Sequence, residues 1–388
     1  MKPRVAVSHQ ALDTPVINGV KNPRKPGGYR DSGADIANAL QSSGHADVLT
    51  SSTSPDPAMN HGWTFPDTES GILAAVEAGA THLWMNTILF ASHPLQTSNK
   101  LDSKVSELFV VGQQPKLVES YNDKALVNDY PRKIGRCLLP DAVILKEGED
   151  QLKKLRLPIV AKPIRGRGSH GVKLCRSYEE LHDHIMELLS ESPSILLEQY
   201  LLGQEATITT LPPSAGELHY KSLPPVVRFN HQNGVAPYNR TVAVTQNSRV
   251  VSPEEVFHDP AYHTIMSDCD EAARLLGCTA PIRIDVRRFK ASDTGDEKDT
   301  GRFAIFDVNM KPNMTGPGRP GRDDQGSLSG MAAEALGWDF PTFLKKILDG
   351  AKMLKEIREA SGVFDTGRED MGDDMQQQKY VSGKEIFQ

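Results

Sequence analysis

Two short segments in the second half of the chain constrain the fold more than any other feature. In residues 283–286 and 306–311, apolar and polar residues alternate, as they do in a strand that turns one face to a core. The acidic segment 291–301 between them has the composition of a turn, so we predict a β-hairpin. The alternation places these polar side chains on one face: Arg283 and Asp285 on the first strand, and Asp307, Asn309 and Lys311 on the second.

A polar face of this composition has two interpretations. Carboxylate and amide oxygens suit Mg²⁺ or Mn²⁺ better than zinc, so Asp285, Asp307 and Asn309 form a candidate metal site. The alternative is a pair of half-buried antiparallel strands whose polar residues simply face water, which is common. The segments upstream favour the first interpretation.

The composition limits the classes of function. A chain of 388 residues is expected to form two or three domains, and an apolar fraction of 38% is ordinary for a globular protein. The net charge is −6 and no basic stripe is present, which argues against nucleic acid as a partner. No run approaches the ~18 apolar residues of a membrane span, and the N-terminal residues lack the apolar stretch of a signal peptide. Because the four cysteines form no CxxC pair, we expect reduced thiols and a cytoplasmic protein.

The first part of the chain alternates predicted strands and helices. Strands are predicted at 4–9, 47–49 and 81–86, with a helix between each pair. This alternation is typical of an open, wound parallel sheet, which we predict to end near residue 115. A basic loop rich in glycine and proline, residues 21–30, lies within this region.

A second candidate region combines a lysine with a glycine-rich turn. Residues 157–163 form an apolar strand that carries Lys162, and residues 165–171 are rich in glycine and precede a return strand. Such a turn lets backbone N–H groups surround a phosphate, to which Lys162 would add an ammonium group. The alternative is a flexible turn that binds nothing.

An acidic residue lies near the end of the next predicted strand. Residues 194–199 carry Glu198, an apolar segment follows, and Glu205 lies beyond it. In a nucleotide site, backbone groups here would pair with an adenine edge, and the second acid would bind ribose hydroxyls. The alternative is an exposed strand end with surface carboxylates.

Taken in order, these segments resemble the ATP-grasp superfamily, and within it the D-alanine–D-alanine ligase-like branch. The resemblance covers roughly residues 116–348. It implies a three-domain ATP-grasp architecture that is α/β overall, α+β in the ATP-grasp part, with an N-terminal open parallel-sheet domain. The implied domains are 1–115, 116–200 with the glycine-rich lid, and 201–360 with the metal site, followed by a polar tail at 361–388.

The resemblance also implies a nucleotide site for ATP. Lys124, which follows Asn122 and Asp123, would contact ATP phosphates together with Lys162. Residues 198–201 would bind adenine. The implied nucleotide-binding residues are Lys124, Lys162, Arg165, Gly168, Ser169, Gly171, Glu198, Gln199, Tyr200, Leu201 and Glu205.

The remaining implied residues concern the metal and the substrates. Arg283 and Lys162 would be the catalytic residues. Ser327, at the start of a helix, resembles the serine that meets a substrate carboxylate, with a plain helix cap as the alternative. Arg283 and Asn313 complete the implied substrate contacts. The implied ligands of Mg²⁺ or Mn²⁺ are Asp285, Asp307 and Asn309.

Several positions depart from the family pattern. Asp307 stands where a glutamate is usual, and Asn313 replaces the glycine of a Pro-Gly-Met stretch. Gly168 stands where D-alanine ligases have a serine, and their glycine-rich turn with its glutamate has no counterpart in residues 5–12. Residues 316–326 form an insertion. We therefore expect a substrate other than D-alanine.

The inserted loop carries two arginines, Arg319 and Arg322. They would either grip a substrate carboxylate through paired hydrogen bonds or lie in an exposed loop beside Asp323 and Asp324. The absence of a regular pattern in this segment favours the exposed loop.

These observations together predict an ATP-dependent carboxylate–amine ligase. A substrate carboxylate would attack the γ-phosphoryl group of ATP, and an amine would then displace phosphate from the acyl phosphate to form an amide. The expected partners are small carboxylates and amines such as amino acids, and a homodimer is implied by the resemblance alone. The alternatives are a kinase-like enzyme that stops at phosphoryl transfer and a nucleotide-binding protein without turnover.

Overall fold

The structure is a computed structural model that describes most of the chain. The described residues are 2–17, 20–21, 24–121, 123–135, 137–146, 156–165, 171–231, 234, 244–289 and 301–360. Within these residues we find no helix with the length and apolar character needed to cross a membrane.

Strands and helices, joined by loops, occur along the whole described part of the chain. The strands are β1 Arg4–His9, β2 Val16–Ile17, β3 Val20–Lys21, β4 Asp47–Leu49, β5 Phe65–Pro66, β6 His82–Asn86, β7 Phe109–Val111, β8 Ala142–Lys146, β9 Ile159–Pro163, β10 Lys173–Cys175, β11 Ser194–Gln199, β12 Glu205–Leu211, β13 Lys221–Ser222, β14 Val226–Arg228, β15 Ser248–Val250, β16 Ile282–Arg288, β17 Phe303–Asn309 and β18 Lys352–Met353. The α-helices are α1 Arg30–Ser42, α2 Glu69–Glu77, α3 Pro94–Thr97, α4 Val118–Tyr121, α5 Lys124–Ile134, α6 Tyr178–Leu189, α7 Pro253–His258, α8 Pro260–Leu275, α9 Leu328–Glu334, α10 Phe340–Asp349 and α11 Leu354–Glu359.

The first sheet has the strand order β18-β7-β6-β1-β4, and β5 also pairs with β1. β1 is parallel to β4, β5 and β6, and β6 is parallel to β7. β1 is buried from Val5 to His9, as expected of a central parallel strand that is covered on both faces. The open parallel sheet predicted for the N-terminal region is thereby confirmed.

The C-terminal segment returns to this first sheet. β18 pairs antiparallel with β7, and Arg358 of α11 donates hydrogen bonds to the carbonyls of Leu95 (2.7 Å) and Ser98 (2.8 Å). Residues assigned to the third domain by sequence thus complete the first sheet. The domain boundaries themselves stay predictions.

The second sheet is antiparallel, with the order β10-β9-β11-β8. Helix α6 covers it with Leu181, Ile185 and Leu188, whose spacing places them on one face of the helix. Ser177 caps this helix by accepting a hydrogen bond from the Glu180 N–H at 3.2 Å. This sheet therefore has a small core of its own.

The third sheet contains the predicted hairpin. Its order is β15-β14-β12-β16-β17, and β16 pairs antiparallel with β17. Asp285 lies opposite Asp307 but Val286 lies opposite Ile305, so Phe306 is an extra residue in β17. Such a β-bulge re-aims the backbone, and here the Phe306 carbonyl accepts a hydrogen bond from Lys162 of the second sheet at 3.1 Å.

Arg319 of the inserted loop is buried and bound by other groups of the protein, so the exposed loop and the substrate contact are both wrong interpretations for this residue. Arg319 is 1% exposed and donates to Asp35 of α1 at 2.7 Å and to the carbonyls of Pro57 and Met59. Arg322 donates twice to the same carboxylate, both at 2.8 Å. The loop therefore ties the third sheet to the helix that covers the first.

His9, at the end of β1, gives the stability a dependence on pH. Its side chain is buried, Nδ1 hydrogen-bonds to Thr64 Oγ1 at 2.8 Å, and burial together with Arg30 lowers its pKa from 6.5 to about 4. The unfolded chain therefore takes up this proton first as the pH falls. Stability is full above pH 6.5 and decreases toward pH 4, by about 2–3 kcal/mol at roughly pH 4.5.

Urea unfolding at two pH values measures this effect. His9→Gln should remove most of the difference in the free energy of unfolding between about pH 7 and pH 4.5. His61→Gln, at an exposed position, is the matched control and should leave the difference unchanged. Equal pH dependence in the two variants would show that His9 is not the responsible group.

Candidate active site

A cavity of about 760 Å³ lies where the three sheets meet. Its volume is typical of a site for a small molecule. The cavity is lined by parts of β9, β11, β16 and β17 and by residues from the region of the first sheet. The predicted site residues that line it are Lys124, Lys162, Glu198, Gln199, Tyr200, Leu201, Glu205, Arg283, Asp285, Asp307, Asn309 and Asn313.

Lys162 and Glu198 form a buried ion pair on the second sheet. Lys162 lies opposite Leu196, so Glu198 is its diagonal neighbour on the same face. Lys162 Nζ donates to Glu198 Oε2 at 2.8 Å, and the two side chains are 4% and 3% exposed. Burial raises the pKa of Glu198, against the opposing effect of Lys162. The other carboxylate oxygen, Oε1, has no hydrogen-bond partner within the described part of the chain.

The segment after β11 connects the second sheet to the third. Glu205 begins β12 and is bound by His231 Nε2 at 2.8 Å and by Arg287 Nη1 at 3.5 Å. Arg287 also donates to the Tyr200 hydroxyl at 2.8 Å and to the Gly203 carbonyl at 3.2 Å. These contacts fix the segment that was predicted to bind adenine and ribose.

Asp285 and Asp307 lie directly opposite each other on β16 and β17, and both side chains line the cavity. Asp285 accepts hydrogen bonds from Thr207 Oγ1 at 2.6 Å and from Arg283 Nε at 3.2 Å. Asp307 is bonded to Lys124 of α5. The alternation of the two strands thus delivers two carboxylates to one point, as the sequence predicted.

The charges around Asp307 keep it ionised. Burial would raise the pKa of this carboxyl group, but Lys124, Lys162 and Arg283 outweigh burial and hold the pKa below its usual range. The positive charges of Lys124, Lys162 and Arg283 therefore all act on one carboxylate that lines the cavity. The same three side chains would attract a polyanionic ligand in the cavity.

The residues of this face fit a magnesium ion by their donor chemistry. No three His, Cys, Asp or Glu side chains converge within the described residues. Mg²⁺ is typically held by one or two carboxylates, with phosphate oxygens and waters as the remaining ligands. Asp285 and Asp307 supply the carboxylates, and Asn309 supplies an amide oxygen that accepts the Lys311 N–H at 3.1 Å.

Some predicted site residues are not brought to the cavity. Arg165 donates to Asp123 at 3.1 Å, and the Gly171 carbonyl hydrogen-bonds to His184 at 2.9 Å. Ser327 is buried, and its hydroxyl caps α9 by accepting the Gly330 N–H at 3.1 Å, which is the plain-cap interpretation. None of Arg165, Gly171 and Ser327 lines the cavity. Gly168 and Ser169, like Asn122, lie outside the described residues.

Two residues that hold the site in place were not identified from the sequence. Arg287 lies four residues after Arg283 on β16, on the same face, so the alternation that identified Arg283 also indicated Arg287. Thr207 gives no such signal, because its role depends on the pairing of β12 with β16, which places it opposite Asp285. The pairing of β12 with β16 joins segments that are far apart in the chain, so the alternation within either strand does not predict it.

A family model connects this geometry to known proteins. The model described as D-ala D-ala ligase C-terminus matches residues 142–349, more than half of the chain. The chain belongs to this D-ala D-ala ligase family. The matched region contains Lys162, Glu198, Arg283, Asp285 and Asp307, and the predicted ligase-like ATP-grasp resemblance is confirmed.

Curated relatives of the D-ala D-ala ligase family match over a similar region. The D-alanine–D-alanine ligase of Gloeobacter violaceus is 27% identical over 211 residues, which are 53% of this chain and 59% of the relative. That of Syntrophotalea carbinolica is 25% identical over 198 residues, 51% of this chain and 55% of the relative. The matches thus span less than two thirds of these relatives.

Solved structures of D-ala D-ala ligase proteins share the fold over nearly the whole chain. The D-alanine–D-alanine ligase from Bacillus anthracis complexed with ATP superposes with a TM-score of 0.58 at 17% identity, covering 92% of this chain and 99% of that one. The VanG D-Ala:D-Ser ligase from Enterococcus faecalis gives a TM-score of 0.56 at 13% identity, covering 89% and 98%. At this identity the likeness concerns the fold alone.

The relatives also bear on the expected substrate. The curated relatives of this D-ala D-ala ligase family member are named D-alanine–D-alanine ligases. They give no support to the expectation that the substrate is something other than D-alanine. D-alanine therefore belongs among the substrates to be tested.

Proposed function

We propose that this chain is an ATP-dependent carboxylate–amine ligase that forms an amide bond through an acyl phosphate. One observation carries the proposal: a single cavity is lined by Lys124, Lys162, Arg283, Asp285 and Asp307, which come from one helix and three strands. Phosphoryl transfer requires neutralisation of phosphate charge and alignment of the reacting groups, and these side chains supply both.

The nucleotide would lie against the second sheet. The buried Oε1 of Glu198, which has no partner within the described residues, would accept a hydrogen bond from the adenine amino group. The backbone of residues 199–201 would pair with the same edge. Glu205, oriented by His231 and Arg287, would accept hydrogen bonds from the ribose hydroxyls. Lys162 and Lys124 would then contact the phosphates.

Asp285, Asp307 and Asn309 would hold Mg²⁺ or Mn²⁺. When bound, the ion supplies positive charge that neutralises the phosphate oxygens. The protein's own contribution is to keep Asp307 charged through Lys124, and to orient Asp285 through hydrogen bonds from Arg283 and Thr207. The basic side chains near the proposed metal site therefore serve to hold its two carboxylates in position.

The reaction divides into two steps. A carboxylate oxygen of the first substrate attacks the γ-phosphorus of ATP, the bond to the β-phosphate oxygen breaks, and ADP leaves. The amine nitrogen of the second substrate then attacks the acyl carbon, the bond to phosphate breaks, and the amine proton passes to solvent or to phosphate. Arg283, which lines the cavity beside Asp285, would donate hydrogen bonds to the oxygen that gains negative charge in the second step.

Asn313 is suited to position the amine. It lines the cavity, and its buried Oδ1 has no hydrogen-bond partner within the described residues. A buried acceptor without a donor is unfavourable, so a ligand N–H would satisfy it. The attacking amine carries such an N–H.

An ADP-release screen with mass detection of the product tests the proposal. We expect ADP to form only when ATP, a carboxylate and an amine are all present, and the product to be the amide. D-alanine, other amino acids of both hands and simple carboxylates paired with amines form the test set. ADP formation from a single substrate with a phosphate ester as product would instead establish a kinase-like enzyme. ATP binding without ADP formation in any mixture would contradict enzymatic activity altogether.

A further inference from the structure

Two ammonium groups lie over the ring of Tyr29 at one end of the cavity. Lys25 Nζ lies 4.3 Å and Lys311 Nζ lies 4.7 Å from the centroid of this ring. Cations over an aromatic face are attracted by its quadrupole. All three side chains line the cavity. We call the part of the cavity that is formed by residues 24–31, 84–89 and 311–315 its N-terminal end.

The loop before α1 is constrained to present Tyr29 in this position. Tyr29 has a φ of 65°, a left-handed conformation that is unusual for a residue other than glycine. At the preceding Gly28, a Cβ would lie 2.1 Å from the Gln10 carbonyl oxygen, so only glycine fits. The Gln10 N–H donates to the Gly28 carbonyl at 2.8 Å and fixes the loop to the end of β1. Conformational strain of this kind is concentrated at functional sites.

A buried amide joins Tyr29 to Lys311. Asn86 is fully buried at the end of β6, and its Nδ2 donates to the Tyr29 carbonyl at 2.9 Å. Its Oδ1 accepts a hydrogen bond from Lys311 Nζ at 2.7 Å. The ammonium group of Lys311 is therefore held in place by a residue of the first sheet.

This end of the cavity lies close to the reaction centre and is positively charged. Lys311 follows Asn309 by two residues, a span of at most about 7 Å, and Asn309 lies opposite Arg283. The described charged residues that line this end are Arg24, Lys25, Lys311 and Asp31. Asp31 lies 3.7 Å from Lys25, and Asp13, which does not line the cavity, lies 4.0 Å from Arg24. The described side chains that line this end therefore comprise three cations and one carboxylate.

We propose that the N-terminal end of the cavity binds a second acidic group of the carboxylate substrate, so that the substrate is a dicarboxylic acid. The inference rests on the proposed ligase function, in which the first carboxylate reacts near Arg283. A second carboxylate near Lys25 and Lys311 offsets the repulsion between the two ammonium groups. A substrate ammonium group at the same place is repelled, and a neutral amide gains no comparable attraction.

Matched acids and amides test this inference without any variant. Glutamate and glutamine, and aspartate and asparagine, differ little in size but differ by one negative charge. ADP release gives kcat/KM for each, and calorimetry with a non-hydrolysable ATP analogue gives the dissociation constant independently of turnover. We expect the acid of at least one pair to be favoured over its amide by roughly 10- to 100-fold in both measurements.

Lysine variants then locate the preference. Lys25→Met and Lys311→Met should each reduce the preference for the acid, chiefly through a higher KM for the carboxylate. Lys21→Met is the matched control, because Lys21 lies in the same basic region but is exposed beside Asp13. It should leave the preference intact.

The outcomes separate this inference from the ligase proposal. Equal or weaker binding of the acids, or an acid preference that survives in both lysine variants, would overturn the inference while ADP release still supports a ligase. Absence of ADP release, together with an acid preference in binding that both lysine variants lose, would overturn the ligase and support the anion site.

Discussion

Replacing Asp307 by alanine should lower the rate of ADP formation by about 10³-fold or more, with the fold retained. The carboxylate faces Asp285 across the hairpin, bonds Lys124, and is the proposed ligand for the metal that neutralises the phosphates. Loss of several kcal/mol of charge stabilisation in phosphoryl transfer corresponds to a change of about this size. kcat measured at saturating ATP, beside the thermal unfolding midpoint, separates catalysis from folding.

Asp323→Ala is the matched control for this experiment. Asp323 is exposed in the inserted loop and does not line the cavity, so its removal should leave kcat unchanged. An Asp307→Ala protein that retains activity within a few-fold of the wild type would remove Asp307 from the metal site. The proposed metal site would then lose its second carboxylate and rest on Asp285 and Asn309 alone.

Replacing Asp35 by alanine should lower the free energy of unfolding by about 3–5 kcal/mol. Its side chain is fully buried and accepts hydrogen bonds from Arg319 at 2.7 Å, from Arg322 twice at 2.8 Å, and from Thr315 at 2.5 Å. Removing one partner of a buried ion pair leaves the charge of Arg319 buried without compensation. Urea unfolding followed by circular dichroism measures the loss.

Asp102→Ala provides the comparison for a surface ion pair. Asp102 is 66% exposed and accepts from Arg358 at 2.8 Å. Water screens the Asp102 carboxylate, and Arg358, which is 12% exposed, keeps its hydrogen bonds to the Leu95 and Ser98 carbonyls, so we expect a loss of only about 0–1 kcal/mol. If Asp35→Ala destabilised the protein no more than Asp102→Ala does, the inserted loop would not be anchored in the way the structure shows.

The local part of the site could be predicted from sequence because it depends on strand periodicity. Alternation in residues 283–286 and 306–311 placed Asp285 and Asp307 on one face, and pairing in the hairpin brought them opposite each other. The bulge at Phe306 could not be predicted, because it depends on which residues of the two strands come into register. That bulge is what turns a backbone carbonyl toward Lys162.

Contacts between distant segments were beyond the reach of local patterns. Tyr29, Asn86 and Lys311 meet in space from three separate parts of the chain. Arg319 lies in a loop of polar composition that indicated exposure, yet its partner Asp35 is 284 residues away and makes burial favourable. The loop's own sequence gives no sign of that partner.

Ser327 was predicted to contact a substrate carboxylate, with a plain helix cap as the alternative, and the structure shows the helix cap. A serine before an apolar helix is both a typical N-cap and a typical anion contact, and the two roles use the same hydroxyl group. In the structure the hydroxyl accepts the Gly330 N–H and is buried away from the cavity. Sequence alone could not choose between these roles, because the choice depends on how α9 is oriented.

Transfer of oxygen from substrate to phosphate tests the central claim most directly. With the carboxylate substrate labelled with ¹⁸O in its carboxyl group, attack on ATP followed by displacement by the amine leaves one labelled oxygen in the released phosphate. We predict that inorganic phosphate formed in the complete reaction carries one ¹⁸O atom per amide produced. Inorganic phosphate without label, formed alongside the amide, would contradict the acyl-phosphate route and with it the account of this cavity.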